Sequence, residues 1–465
     1  MNIAMISEHA SPLAALGGVD SGGQNVYVAQ VASELGRRGH RVTVFTRRDD
    51  PELPGEMRCA PNVSLVHIAA GPARPVPKEE MLPLMPRFTE GVLAYLGQMQ
   101  RPLDLVHAHF FMSAQVAAEL QRVRGLPFVV TFHALGRIRR RHQGVADRFP
   151  VERFAIEERA VAEARLVIAE CPQDRDDLIE LYGAGPEQIR VAPCGYSPEE
   201  LGPTSKPEAR RRLGLAESEP VILQLGRMVP RKGVATAIEG LARLRRRHGV
   251  LAQLLVVGGN SATADPRATP EIGRLLAVAE KEGVANSVRF EGRRDRAQLR
   301  DYYGAADIFI STPWYEPFGI TPVEAMACGL PVLGSAVGGI KSTVVDGETG
   351  FLVPADDPDA VAERLAAMLG DRRMLRRMGE RALERAAGFT WSRVTDRLES
   401  IYAEAVAATP SKPRETSKRR RTETPTAALG RSLLHSGLHG ASLIFRAGSK
   451  ASHDSREPND AEGGR

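Results

Sequence analysis

The sequence predicts an α/β protein built from two doubly wound parallel-sheet domains, and three observations carry that prediction. Short apolar or β-branched runs bounded by glycine alternate with long amphipathic stretches through residue 408, the pattern of strands joined by crossover helices. The strand cycle stops near residue 192 and restarts at 221, after a stretch punctuated by proline and glycine. A chain of 465 residues also exceeds what one hydrophobic core usually organises.

In the first half, residues 3–6, 42–45, 65–68, 105–108, 128–132, 166–169 and 189–192 read as strands, and residues 24–38 as a helix closed by Gly39. In the second half the strands are 221–225, 254–257, 287–290, 308–311, 331–334 and 350–353. The segments Pro193-Cys194-Gly195-Tyr196-Ser197-Pro198 and Gly202-Pro203-Thr204-Ser205-Lys206-Pro207 suit a hinge, which puts an N-terminal domain at 1–198 and a C-terminal domain at 199–390. Trp391, Val394, Leu398 and Tyr402 share one helical face, so residues 391–408 are expected to form a helix packed between the domains. Residues 409–465 are rich in Ser, Thr, Pro and Arg and too poor in apolar side chains for a core, which predicts a basic, largely disordered tail. Within it Leu429, Leu433, Leu434, Leu438, Ile444 and Phe445, behind Lys418-Arg419-Arg420-Arg421, have the pattern of a basic amphipathic helix for an anionic membrane surface, against which Gly430, Gly437 and Gly440 count.

Composition excludes several classes. With 43% apolar and 26% charged residues and no apolar run long enough for a membrane span, the chain reads as a soluble enzyme. Its first residues lack the basic flank of a secretory signal, so a cytoplasmic location is expected, with weak peripheral contact at the inner membrane face left open by the tail. Cys59, Cys171, Cys194 and Cys328 are too widely spaced for a disulfide framework or a zinc site and are expected to be free thiols. The net charge of +5 is inflated by the tail, and the arginine clusters at 137–141 and 245–247 lack interleaved aromatics, so no nucleic-acid partner is expected.

Four places carry chemistry. Gly17-Gly18-Val19-Asp20-Ser21-Gly22-Gly23-Gln24-Asn25 follows the first strand and opens a helix, where backbone amides can approach an anion; close packing is the competing reading. Gly226-Arg227-Met228-Val229-Pro230-Arg231-Lys232-Gly233 follows the strand that opens the second half and sets a guanidinium fork beside an ammonium, a pairing suited to a diphosphate or to a solvated loop. Glu316-Pro317-Phe318-Gly319-Ile320-Thr321-Pro322-Val323-Glu324 brackets a glycine turn with two carboxylates at the carboxyl edge of the sheet. The amides of Phe318, Gly319, Ile320 and Thr321 can face phosphate or sugar hydroxyls, and Glu324 can accept from a ribose. Two carboxylates from one loop are poorly disposed as a glycosidase pair, which must flank the scissile bond. His107, His109 and His133 end two strands of the first half; a metal site is disfavoured, and a hydrogen bond from His133 to a donor hydroxyl is expected instead.

In this combination the chain closely resembles, over residues 1–408, glycosyltransferase family four, retaining enzymes of the GT-B fold with two facing Rossmann-like domains and the active site in the cleft between them. The resemblance rests on Gly22-Gly23, His133, Arg227 with Lys232, and Glu316 with Glu324. It implies a UDP-, ADP- or GDP-linked sugar donor with UDP favoured, no cofactor because the nucleotide sugar is a co-substrate, and no metal because Arg227 and Lys232 grip the diphosphate. The same resemblance makes Arg227, Lys232, Glu316 and His133 catalytic, and assigns Gly22, Gly23, Gln24, Asn25, Arg293, Arg294 and the 318–321 loop with Glu324 to the donor.

Gly18-Val19-Asp20-Ser21-Gly22-Gly23-Gln24-Asn25-Val26-Tyr27 and Ala69-Ala70-Gly71-Pro72 look like the branch holding sucrose-phosphate synthase, sucrose synthase and inositol-phosphate glycosyltransferases. That likeness implies an acceptor site with Lys78, His109, Phe110 and Arg153, in which Lys78 and Arg153 take a phosphate. Phe110 and Ala134 stand where the inositol-phosphate enzymes carry hydroxyls; the arginines at 137–141 either replace those hydrogen bonds or form a surface loop. The implied reaction moves a hexosyl group to a small sugar, sugar phosphate or cyclitol. A glycan- or lipid-linked acceptor and a non-catalytic nucleotide-sugar-binding regulator are the alternatives.

Overall fold

The computed structural model describes residues 1–13 and 22–407. The segment Gly17–Ser21 of the first glycine loop and the tail, with its membrane-helix expectation, therefore lie outside the described residues.

The first sheet has eight strands: β1 (Asn2–Ile6), β2 (Arg41–Arg47), β3 (Glu56–Ala60), β4 (Val63–Ile68), β5 (Leu105–His109), β6 (Phe128–Thr131), β7 (Leu166–Ala169) and β8 (Ile189–Val191). Their order is β3-β4-β2-β1-β5-β6-β7-β8, parallel throughout except that β3 runs antiparallel to β4. Sequence reading misses β3, whose residues are exposed or half-buried at the sheet edge and so carry no run of buried apolar positions. The second sheet comprises β9 (Val221–Leu225), β10 (Gln253–Val257), β11 (Val288–Gly292), β12 (Ile308–Ser311), β13 (Val332–Ser335) and β14 (Gly350–Val353). These six lie in the order β11-β10-β9-β12-β13-β14.

Both orders reverse direction beside the first strand of their half, at β1/β5 and at β9/β12. Helices on both faces bury these strands almost completely, which is why they read as near-continuous apolar runs. In a doubly wound sheet the loops leaving the two strands at the reversal diverge to opposite faces and open a crevice at the carboxyl edge. All four chemistry-bearing segments leave β1, β5 or β6 in the first half and β9 or β12 in the second.

The helix Trp391–Ala407 buries Trp391, Val394, Leu398 and Tyr402 in one core with Ile3, Tyr27, Val31 and Leu105 of the first half. It packs against the helix Gly23–Arg37 and the strands β5 and β6, in a core that also includes Leu223, Phe309 and Phe318 of the second half. Arg38 binds it through Asp396, Glu399 and the Ser392 carbonyl at 2.6–2.8 Å, and His107 Nδ1 meets the Tyr402 hydroxyl at 2.7 Å. Just before it, Thr390 bridges to Tyr196 of the linker. All four cysteines are free. Among the described residues no helix is long and apolar enough to cross a membrane.

Candidate active site

The reversal-point loops of the two halves line one cavity of about 260 Å3. Its walls include every residue assigned from the sequence to catalysis, donor or acceptor except His109. Close approach of the halves explains the glycines at the helix start Gly23–Arg37. A Cβ on Gly22 would lie 3.3 Å from Arg227 Nε, and one on Gly23 would lie 3.3 Å from Ile320 Cδ1, so a side chain at either place would press on a cleft residue of the opposite lobe. Gln24 and Asn25 line the cleft but spend their amides on the scaffold: Gln24 Nε2 donates to the His109 carbonyl at 3.3 Å, and Asn25 Oδ1 accepts from the Gly22 amide at 2.9 Å.

In the second half, the loop after β9 is stitched to the loop after β12. Gly233, at φ +65°, is so close to the Thr312 carbonyl that no Cβ fits, and the Thr312 hydroxyl donates back to the Gly233 carbonyl at 2.8 Å. This fixes Lys232 on Glu316 Oε2, with Arg231 3.8 Å from the same oxygen and stacked over the Tyr315 ring. Burial lowers the Lys232 pKa against the pull of Glu316. Burial alone would raise that of Glu316, but Lys232, Arg231 and Arg227 together hold it below the usual carboxylate value. Three cations thus surround one carboxylate, leaving an excess of positive charge in a water-poor nook.

Gly319, at φ +90°, caps the eight-residue helix Ile320–Ala327, whose first residues Ile320 and Thr321 line the cleft. On that helix Glu324 is held from both sides, by Arg296 Nη1 at 2.8 Å and by the buried Tyr303 hydroxyl at 2.9 Å. Arg296 lines the cleft as well and was not singled out from the sequence. Arg294 is largely committed to the scaffold, donating to the Tyr302 hydroxyl at 2.7 Å, the Ala262 carbonyl at 2.6 Å and Glu291 at 3.1 Å. Arg293 lines the cleft beside it.

The histidines depart from expectation. His133 reaches the cleft with a left-handed backbone, φ +57°, uncommon for a residue with a side chain. Both its ring nitrogens are nevertheless engaged inside the protein, Nδ1 with Glu170 Oε1 at 3.0 Å and Nε2 with His109 Nδ1 at 3.0 Å. His109 is fully buried behind it and is not a cleft residue, which corrects its assignment to the acceptor. Burial drives its pKa well down, and that of His107 to about 3, so both rings stay neutral. Glu170, at the carboxyl end of β7, was missed; its position one residue past a predicted strand was the available signal.

Phe110, at φ +84° in the turn into the helix Phe111–Arg124, presents its ring to the Arg153 guanidinium at 4.8 Å. Arg153 is 1% exposed and paired with Glu157 Oε1 at 2.8 Å, and its Nη1 has no partner within the protein. Lys78, in the short turn Lys78–Glu80, lines the same wall. Most of the 137–141 arginines are spent locally: Arg137 on Glu158, and Arg139 and Arg140 on Asp147. Arg139 alone of these also lines this cleft.

Two doubly wound lobes presenting their reversal-point loops to one cationic cleft define a GT-B enzyme. Residues 21–200 match the family described as Glycosyltransferase Family 4, and residues 205–385 match Glycosyl transferases group 1. D-inositol 3-phosphate glycosyltransferase 1 of Catenulispora acidiphila is 37% identical over 408 residues, covering 87% of this chain and 96% of that protein. The D-inositol 3-phosphate glycosyltransferase of Nocardia farcinica is 36% identical, covering 87% and 89%. Among solved structures, sucrose-phosphate synthase from Thermosynechococcus elongatus superposes with a TM-score of 0.81 at 32% identity, covering 88% of this chain and all of that one. The chain belongs to the group 1 glycosyltransferases with a family 4 N-terminal domain, and it is a hexosyltransferase of the retaining GT-B class.

Proposed function

We propose that this enzyme transfers a hexosyl group from a nucleotide sugar, a UDP-linked hexose first among the donors to test, to a small phosphorylated cyclitol or sugar. The observation that carries the donor half is the cluster of Arg227, Arg231 and Lys232 around the single buried carboxylate of Glu316, opposite the Gly22-Gly23 turn. Its surplus positive charge matches a departing diphosphate, and preorganised charge in a site that excludes water is worth far more than in solvent. The bond from the anomeric carbon to the diphosphate oxygen breaks, the acceptor oxygen bonds to the same face, and the acceptor proton passes to the diphosphate. In this scheme no protein base and no metal is required.

Glu316, with both cations on Oε2, offers Oε1 to a sugar hydroxyl; Glu324, set by Arg296 and Tyr303, accepts from the ribose. Because the ring nitrogens of His133 are committed, we assign its part in sugar contact to the backbone that its unusual φ turns toward the cleft. The acceptor half rests on Arg153, whose unpartnered Nη1 in the wall with Lys78 suits a phosphate, and on the named activities of the two inositol-phosphate relatives and of sucrose-phosphate synthase.

The test is a matrix of UDP-, ADP- and GDP-hexoses against phosphorylated and unphosphorylated cyclitols and sugars, with product anomers read by NMR. Transfer to a phosphorylated acceptor with retained configuration is the expected result. Transfer only to unphosphorylated acceptors or to glycans would sink the acceptor assignment.

A further inference from the structure

The helix Gly136–Gln143 is fixed to the first lobe near its start and reaches the second lobe at its end. The Gly136 amide donates to both Glu157 carboxylate oxygens at 3.1 Å, the Arg137 amide to the Tyr182 hydroxyl at 2.9 Å, and Arg139 Nε to Asp147 Oδ1 at 2.7 Å. At the other end Gln143 Nε2 donates to the Tyr315 hydroxyl, and the His142 and Tyr315 rings stack with centroids 5.0 Å apart and planes 22° apart. Tyr315 in turn holds Arg231. The guanidinium carbon lies 5.1 Å from the ring centroid, Nη1 donates to the Tyr315 carbonyl at 3.4 Å, and the Trp314 amide donates to the Arg231 carbonyl at 3.0 Å. At 3.8 Å from Glu316 Oε2, Arg231 is beyond hydrogen-bond range of that carboxylate, whereas Lys232 bonds it directly. It is therefore Tyr315, more than Glu316, that sets where this guanidinium stands.

We infer that His142 and Gln143 form a latch between the lobes which, by gripping Tyr315, places Arg231 for the diphosphate of the donor. The inference rests on the cationic cluster being the diphosphate site, as proposed above. A long side chain that must be ordered as charge develops loses part of its stabilising power to entropy, while a cation held beforehand on an aromatic ring does not. Because the grip on the Tyr315 ring and hydroxyl comes from the first lobe, the cationic cluster is completed when the lobes meet, the same event that excludes water. Neither His142 nor Gln143 borders the cleft, so both are positioning residues. A second contact across the seam, Lys341 Nζ to Gln173 Oε1 at 2.7 Å, joins the lobes at residues other than Tyr315 and Arg231 and supplies the control.

The test removes the latch with His142→Ala and Gln143→Ala together, and cuts the other seam contact with Lys341→Ala. Both changes are made in the wild-type enzyme and in an Arg231→Ala background, and each protein is measured for sugar transfer and, by calorimetry, for affinity to UDP and to UMP. Loss of the latch is expected to lower kcat about tenfold, the size of one lost hydrogen bond, and to weaken UDP by a similar factor while leaving UMP unchanged. Lys341→Ala is expected to do neither. With Arg231 already gone, loss of the latch should have no further effect, because two changes that act through one group do not add. The same tenfold fall in both backgrounds, equal weakening of UDP and UMP, or a Lys341→Ala enzyme that behaves like the latch variant overturns the inference. If Arg231→Ala leaves UDP affinity and turnover unchanged, the diphosphate reading of Arg231 fails and takes the latch with it. If Arg231→Ala weakens UDP selectively and the latch variant is silent, the latch fails alone.

Discussion

Lys232 enters the cleft already paired with Glu316, and this decides what its removal should do. Lys232→Ala takes away a charge proposed to face the leaving diphosphate and leaves Glu316 less compensated, so kcat is expected to fall by about 10²–10³, the usual loss for one such stabiliser. Arg227→Ala should cost a similar factor, with single-turnover transfer as the measurement; near-normal rates would remove both from the chemistry. For the acceptor, Lys78→Ala is expected to raise KM for phosphorylated acceptors far more than for their unphosphorylated forms. An equal effect on both would mean that Lys78 does not bind phosphate. The lysine, the arginines and the two glutamates were legible in the sequence because each sits at a fixed offset from a strand end. Glu170 also follows a strand end, but it and Arg296 were not singled out, because what makes them matter is a partner from another element, His133 in one case and Glu324 in the other.

Glycine at the start of the helix Gly23–Arg37 is required by the opposite lobe rather than by its own turn. Gly22 has φ −150°, a conformation open to any residue, so Gly22→Val is expected to fold with an unchanged melting temperature while its side chain pushes Arg227 aside. Donor binding measured by calorimetry should weaken, and normal affinity would show that the lobes have slack there. The C-terminal helix Trp391–Ala407 is the second element with a testable role. Tyr402→Phe deletes the partner of buried His107 Nδ1 and should cost about 1–3 kcal/mol in chemical denaturation. Its amphipathic face was visible in the sequence, but periodicity does not say which elements a helix will pack against.

For the molecule as a whole, buried titratable groups shape stability against pH. His107 is held at about 3 and His109 well down, both mainly by burial, whereas an unfolded histidine titrates near 6.5. Below about 6.5 the unfolded chain takes up two protons that the folded protein refuses, so stability falls as the pH drops. Asp174 acts in the opposite sense: burial, reinforced by Glu170, raises it to about 8. Its contribution is complete below about 4 and is lost as the pH rises through 8. Two protons outweigh one on the acid side, and Asp174 acts alone between about 6.5 and 8. The melting temperature is therefore expected to peak near pH 6.5, and Asp174→Asn to flatten the decline toward pH 8 while leaving the acid limb. A wild-type curve rising steadily through pH 8 would contradict the Asp174 assignment.

The buried strands, the two-sheet division and the loops that line the cleft could all be read along the chain, because parallel strands covered on both faces are apolar and the loops at their carboxyl ends carry the glycines and charges. Burial of His109 behind His133, the closure of both His133 nitrogens, the turn of the last helix onto the first sheet and the facing of Gly22 to Arg227 arise only when separate segments meet. Such pairings depend on distances through space between residues far apart in sequence, and local periodicity carries no information about them.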